Sequence, residues 1–249
     1  MIELNTISKT FNAGTPQQVR ALRDINLTIA DQEFVIVVGA NGSGKSTLLN
    51  VIAGVAMPSS GTILLDGMDV THWEDYRKSR WIARIFQDPF MGTASELSIL
   101  DNFRLAAIRT HKKGLSIGID SKFKTKVQER IAMLGLGLED KLEQRMGTLS
   151  GGQRQALTLI MAVMDDAKII LLDEPSAALD PRTAALIMAK ANEIIREFGL
   201  TGILITHHLK DAALYGNRIL LMREGSVVHD IKADEKRKMT VGDLQNWFV

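Results

Sequence analysis

The sequence contains no cysteine. That excludes a disulfide scaffold, a thiolate metal site and a cysteine nucleophile, and it is compatible with a reducing cytosol. Long apolar runs are missing too. Stretches such as 34–38 and 169–172 have the length of strands, whereas a membrane-spanning helix needs about 20 mostly apolar residues. The opening MIELNTISKTF lacks the apolar core of a signal peptide. The expectation is a chain that does not cross a membrane alone and reaches one only through a partner. Nor is one sign of charge in excess: 30 Lys and Arg stand against 29 Asp and Glu, a formal net charge of +1. Nucleic-acid binding needs a basic excess gathered on one face, so no nucleic-acid partner is expected. The run KADEKRK, 232–238, mixes both signs and reads as a solvated turn.

What is present is an ordinary globular composition. In 249 residues, 45% are hydrophobic and 24% charged, enough for a sizeable core and unlike a disordered chain. Residues 1–9 read as a strand, 12–18 as a polar loop, and 25–29 as a half-buried antiparallel strand. Phe34 to Val38 is continuous and β-branched, a strand buried on both faces. A Gly-rich loop and a helix over about 45–55 follow. Further strands are expected at 62–65, closed by the Asp66–Gly67 turn, and at 82–86. From 91 to 164 helical spacing takes over. Ile99, Phe103, Ala106 and Ala107 share one helix, and Phe123, Val127, Ile131 and Leu134 one face of another, with Gly114 and Gly118 between. At 169 the strand signal returns. A helix over 181–198 has Asp180 as N-cap and Pro181 at its first position. Strands at 203–206 and 218–222 and a short helix over 241–248 complete the pattern. One domain is expected, with a core over 1–90 and 165–249 and a helical insertion over about 91–164.

Gly39 to Thr47 reads GANGSGKST, matching G-x-x-x-x-G-K-[ST] with a buried strand before it and a helix after it. Glycines let successive backbone N–H groups of Gly39, Asn41, Gly42, Ser43 and Gly44 curl inward as an anion nest. The helix start adds its positive dipole end. Lys45 would carry charge to the β- and γ-phosphates of a nucleotide, and Ser46 a hydroxyl to Mg²⁺, with Thr47 beside it. The bland alternative is a Gly-rich turn. Ile169 to Pro175 reads IILLDEP, so Asp173 and Glu174 emerge at the carboxyl end of a buried strand, where α/β sheets bind ligands. Asp173 is the expected second Mg²⁺ anchor, and Glu174 the group that polarises the attacking water. These motifs place the chain in the α/β class, as a P-loop NTPase, but leave a kinase, a GTPase or a helicase open.

Leu149 to Gln155 reads LSGGQRQ and precedes an apolar helix. Ser150, Gly151, Gly152 and Gln153 therefore sit at a second helix N-terminus able to meet an anion. A second phosphate site far along the sequence is odd unless it serves the nucleotide of another subunit. At these residues, and in this order, the whole chain resembles the ATP-binding subunit of an ABC transporter. The resemblance implies a RecA-like mixed sheet core with an antiparallel β subdomain and a helical subdomain. It implies ATP and Mg²⁺, a homodimer or a dimer with a similar subunit, membrane permease subunits, and indirectly a solute-binding protein. The expected location is cytoplasmic, on the inner face of the cell membrane. By matching position, Phe11 would stack on adenine, Gln87 in IFQDP would sense Mg²⁺ and the permease, and residues 176–180 (SAALD) would cross the dimer interface. His207 in ITHHL would touch the γ-phosphate. Each has a bland competitor: Phe11 as a core edge, Gln87 as a polar strand end, His207 as a satisfied strand-end histidine. His208 replaces the aspartate of many relatives, and which histidine faces the phosphate is left open. Neighbours on a strand point to opposite faces, which argues against a zinc site. Met161, Met164 and Met188 read as packing.

A chain carrying this cassette alone leans toward an importer of a small solute. ALTLIMAVM with HHLKDAALYGNRILLMREG is similar to an importer branch linked to amino acids, aromatic ones among them. The alternative is a soluble ABC ATPase serving iron–sulfur assembly, ribosomes or DNA repair. The repair type needs a long coiled-coil arm, and no sustained heptads occur over 47–148.

Overall fold

The computed structural model describes residues 1–108 and 118–248. The chain opens with β1 (Ile2–Phe11), β2 (Val19–Ile29) and β3 (Phe34–Val38), then α1 (Lys45–Ala53), β4 (Ser60–Leu65), β5 (Met68–Asp69), α2 (Asp75–Lys78) and β6 (Ile82–Ile85). Helices α3 (Ile99–Ala106), α4 (Ser121–Ala132) and α5 (Gly151–Ala162) follow, then β7 (Ile169–Asp173), α6 (Pro181–Glu197), β8 (Thr201–Ile205) and α7 (Leu209–Leu214). The end is β9 (Arg218–Arg223), β10 (Ser226–Ile231), α8 (Ala233–Lys236) and α9 (Val241–Gln245).

The strands form two sheets. An antiparallel sheet runs β2-β1-β4-β5, and a second runs β10-β9-β3-β8-β7-β6. In the second sheet only the β9–β10 pair is antiparallel. Its buried strands alternate strictly between two cores. Ile36, Val38, Ile170, Leu172 and Leu204 join the core with α3, α4, α5 and α6. Val35, Val37, Ile169, Leu171, Ile203 and Ile205 join the core with α1 and the antiparallel sheet. Thus α1 lies between the two sheets, and α5 lies on the opposite face of the larger one. This is the expected α/β class, a mixed sheet core with an antiparallel β sheet and added helices.

Several expectations change in detail. Val19 to Ile29 is one long strand rather than a short one starting at Ile25. Strand β10 and helices α2 and α7 were not legible in the pattern. The segment expected as a solvated turn instead forms α8, and Lys236 within it is only 5% exposed because its ammonium donates to the Tyr215 and Gly216 carbonyls. Met161, Met164 and Met188 are buried, as expected. The expected break at Gly114 lies outside the described residues.

Candidate functional site

The carboxyl end of β3 leads into the loop 39–44. Gly39 has φ 153°, and a Cβ there would come within 2.3 Å of the Met222 carbonyl oxygen. Gly44 has φ 101°, and a Cβ there would come within 2.5 Å of the Ala21 carbonyl oxygen. Both positions therefore require glycine. Gly44 begins α1 with no side-chain cap, so the first-turn N–H groups are left to the loop. Ser43 Oγ is buried without a hydrogen-bond partner. Lys45 Nζ folds back and donates to the Gly39 and Ala40 carbonyls at 2.9 Å each. Burial pushes the Lys45 ammonium down, and Glu174 and Asp173 oppose that shift. An uncapped helix start, an orphan hydroxyl and a buried cation together fit an oxyanion.

Asp173 closes β7, next to this loop, and its Oδ1 accepts from Ser46 Oγ at 3.2 Å. Burial pushes its carboxyl up, while the Ser46 hydrogen bond and the charges of Arg84 and Lys45 pull it down. Arg84 reaches this cluster from the neighbouring β6 and donates to Asn50 Oδ1 of α1 at 2.9 Å. A hydroxyl and a carboxylate oxygen side by side are hard oxygen donors of the kind Mg²⁺ takes. Glu174 follows with φ 45°, a strained conformation for a residue with a side chain, held by its N–H donating to the Ile205 carbonyl at 3.1 Å. Its Oε2 lies 3.0 Å from His207 Nδ1.

The structure thus brings Gly39–Thr47, Asp173, Glu174 and His207 together at the carboxyl ends of β3, β7 and β8. The two histidines differ from expectation. Strand β8 ends at Ile205, so they do not alternate across a strand, and their rings sit 4.1 Å apart at 42°. Only His207 hydrogen-bonds to Glu174. Gln87 follows β6 and is exposed. Phe11 is 39% exposed, with Lys9 Nζ 4.9 Å from its ring centre. It pairs with Val19, two residues before the Ala21 carbonyl that abuts Gly44.

Ser150 to Gln153 stand apart from this cluster, at the start of α5. Ser150 Oγ accepts from the Gln153 N–H at 3.3 Å, and Gln153 Oε1 accepts from the Ser150 N–H at 3.1 Å. This capping box uses the Gln153 side chain locally but leaves the Ser150 hydroxyl proton free to donate. Gly152 has a packing reason as well, since a Cβ there would come within 2.3 Å of Thr183 Cγ2 on α6. The motif reading missed Arg84, Arg154 and Gln155. Their signal was a polar side chain on a buried strand or helix face.

A groove of about 730 Å³ opens between α2, the segment after β6, α3 and α5. Tyr76 and Leu105 on its walls are exposed, and Asp75 and Asp88 add two negative charges against the one positive charge of Arg84. No helix among the described residues is long and apolar enough to cross a membrane.

The family description for the ABC transporter matches residues 22–177. The chain is 36% identical to the tyrosine transport ATP-binding protein of Clostridioides difficile, over 100% of this chain and 98% of the relative. It is also 36% identical to the phosphonates import ATP-binding protein PhnC of Lactobacillus acidophilus, over 99% of this chain and 95% of that one. Among solved structures it is similar to the dimeric post-hydrolysis state of the ATP-binding cassette MJ0796 bound to ADP and Pi. The TM-score is 0.79 at 30% identity, covering 94% of this chain and 99% of that one.

Proposed function

The chain belongs to the ABC transporter family, and on that premise we propose that it is the ATP-hydrolysing subunit of an importer, working as a dimer with ATP between two copies. The observation that carries this reading is the Ser46–Asp173 and Glu174–His207 pairing beside the phosphate loop. Lys45 would exchange the Gly39 and Ala40 carbonyls for phosphate oxygens. Ser46 and Asp173, with Gln87, would hold Mg²⁺, which when bound supplies charge neutralisation across the β- and γ-phosphates. Glu174 would orient the water that attacks the γ-phosphorus, while the bond to the bridging oxygen breaks and ADP leaves. His207, held by Glu174, would contact the γ-phosphate. Phe11 would stack on adenine.

Ser150, Gly151, Gly152 and Gln153 would meet the ATP held by the partner. Helices α1 and α5 lie on opposite faces of one sheet, so one protomer is not expected to bring both helix starts to one nucleotide. A two-fold dimer satisfies both sites with one surface. The groove beside Gln87 would receive the permease, its Asp75 and Asp88 favouring a basic segment. The chain would then sit on the cytoplasmic face of the membrane. An amino acid, aromatic ones first, is the proposed cargo, supported by the end-to-end likeness to the tyrosine transport relative.

Two experiments test this. Glu174→Gln should bind ATP and accumulate a dimer on size-exclusion chromatography, and a purely monomeric profile counts against the site. Affinity capture from detergent-solubilised cells should recover a multi-spanning permease. Recovery of soluble partners alone would leave the ATPase standing and overturn the importer.

A further inference from the structure

Gln155 lies in the second turn of α5, on a buried helix face, and is 1% exposed. Its side-chain amide donates twice. Nε2 is 3.0 Å from the Phe86 carbonyl oxygen and 3.0 Å from the Pro175 carbonyl oxygen. Phe86 immediately precedes Gln87, and Pro175 immediately follows Glu174. One –NH₂ group therefore ties together the two backbone segments that present both side chains.

Its neighbour Arg154 is also fully buried. It donates to the Met146 carbonyl and Ser95 Oγ at 3.0 Å each, with its guanidinium 4.1 Å from the centre of the Phe90 ring. Among the described residues, the start of α5 thus holds the stretch after β6 through Gln155 and Arg154, and hydrogen-bonds to the loop after β7 through Gln155. That loop is where control is needed. Glu174 sits at positive φ, a strained conformation that persists only when the surroundings over-determine it.

We propose that Gln155 is a positioning residue for hydrolysis, fixing Glu174 and Gln87 relative to each other through the Pro175 and Phe86 carbonyls. The inference rests on the reading of Glu174 as the residue that orients water. It adds a route by which the groove informs the site, since Phe86 and Gln155 both line that groove. A segment seated there would press on one end of the clamp, and Glu174 lies at the other.

Gln155→Met keeps the length of the side chain and removes both donors. The full chain should melt as a folded protein and bind a fluorescent ATP analogue within about twofold of wild type, because the phosphate loop is untouched. Its kcat should fall at least about tenfold with KM nearly unchanged, the split expected when only a transition-state arrangement is lost. Gln155→Glu is the second variant. Its carboxylate cannot donate to either carbonyl, whereas its protonated form donates to one. Its kcat relative to wild type should therefore rise as pH falls from about 9 to about 6 while thermal melts show the variant fully folded at each pH, which a loss of fold would not give. Wild-type kcat in Gln155→Met, or equal losses in nucleotide affinity and kcat, would overturn the clamp. A flat pH ratio in Gln155→Glu would do the same if Gln155→Met fails to fold. Glu174→Gln is measured alongside. If it hydrolyses ATP at the wild-type rate, the site reading fails. If it is inactive while Gln155→Met is not, only the clamp fails.

Discussion

Gly152 is where packing and function can be separated by one substitution and its rescue. Replacing glycine by alanine inside a helix normally stabilises by roughly 0.5–1 kcal/mol. Here the sign should reverse. The new Cβ would lie 2.3 Å from Thr183 Cγ2, where real Cβ contacts essentially never fall below 3.0 Å. Helices α5 and α6 must therefore move apart, or Thr183 must leave its rotamer. Overpacking of this kind costs about 1–3 kcal/mol. In a chain of this size each kcal/mol moves Tm by about 2–4 °C, so Gly152→Ala should melt about 2–12 °C below wild type. Thr183→Ser removes Cγ2, and in the double variant the loss should largely disappear, giving a coupling energy close to the single-site penalty. Differential scanning fluorimetry reads that part. Size-exclusion chromatography with ATP, in a Glu174→Gln background, reads the other. If the backbone at Gly152 approaches the partner's nucleotide, the added methyl should still impair ATP-driven dimerisation when stability has returned. A wild-type Tm for Gly152→Ala would refute the packing argument. Recovery of stability and dimerisation together would confine Gly152 to packing.

Three further outcomes are expected. Lys78 is fully buried and is pushed down to about 8 by burial, as is Lys236. Between that value and the ordinary 10.5 the unfolded chain binds more protons, so stability should rise with pH across this window. Lys78→Met should flatten part of the rise and increase Tm at neutral pH, as thermal melts across pH would record. Arg218 donates to both Asp230 oxygens at 2.6 and 2.7 Å and to Glu33 at 3.0 Å, and it is only 4% exposed. Arg218→Met leaves those carboxylates without their cation, and because Asp230 is 36% exposed and Glu33 19% exposed the cost in a denaturant titration should fall below the roughly 3–5 kcal/mol of a fully buried pair. Lys45→Ala should abolish tight nucleotide binding while Tm stays near wild type or rises, because a buried cation is lost. A fluorescent-nucleotide titration with wild-type affinity would reject that role.

How legible each part was depended on whether its cause is local. Strand β3 was readable because FVIVV can only be buried on both faces. Helix α6 was readable because Asp180 and Pro181 mark its start, and Asp180 does accept from the Arg182 and Thr183 N–H groups at 3.1 Å each. Strand β10 was missed because it is an edge strand with three exposed positions and no apolar alternation. Its place is set by the two-residue Glu224–Gly225 turn, both residues at positive φ, and by the antiparallel ladder with β9. Lys236 was read as solvated because a charge run carries no sign that two carbonyls, twenty residues upstream, will take one of its ammonium groups. The histidines were placed on a strand because ILIT extends the pattern, but β8 stops where Glu174 donates to Ile205. Gln155 was invisible for the same reason: both its partners are far away in sequence.

The two helix starts differ in a way that bears on the proposed dimer. The start of α1 has no side-chain cap, its lysine donates to the loop carbonyls of Gly39 and Ala40, and the buried Ser43 hydroxyl has no hydrogen-bond partner among the described residues, so an oxyanion there would meet donors that are uncapped or unpartnered. The start of α5 is already closed by the Ser150–Gln153 box, so its cap needs no nucleotide, and it has a hydroxyl proton, the Gly151 and Gly152 amides and the Gln153 side-chain –NH₂ to offer. An ATP molecule would therefore gain most of its affinity from the first site and only an increment from the second. That is the order a reversible dimer needs. Each protomer loads nucleotide first, and the smaller gain across the interface is what loss of the γ-phosphate can cancel.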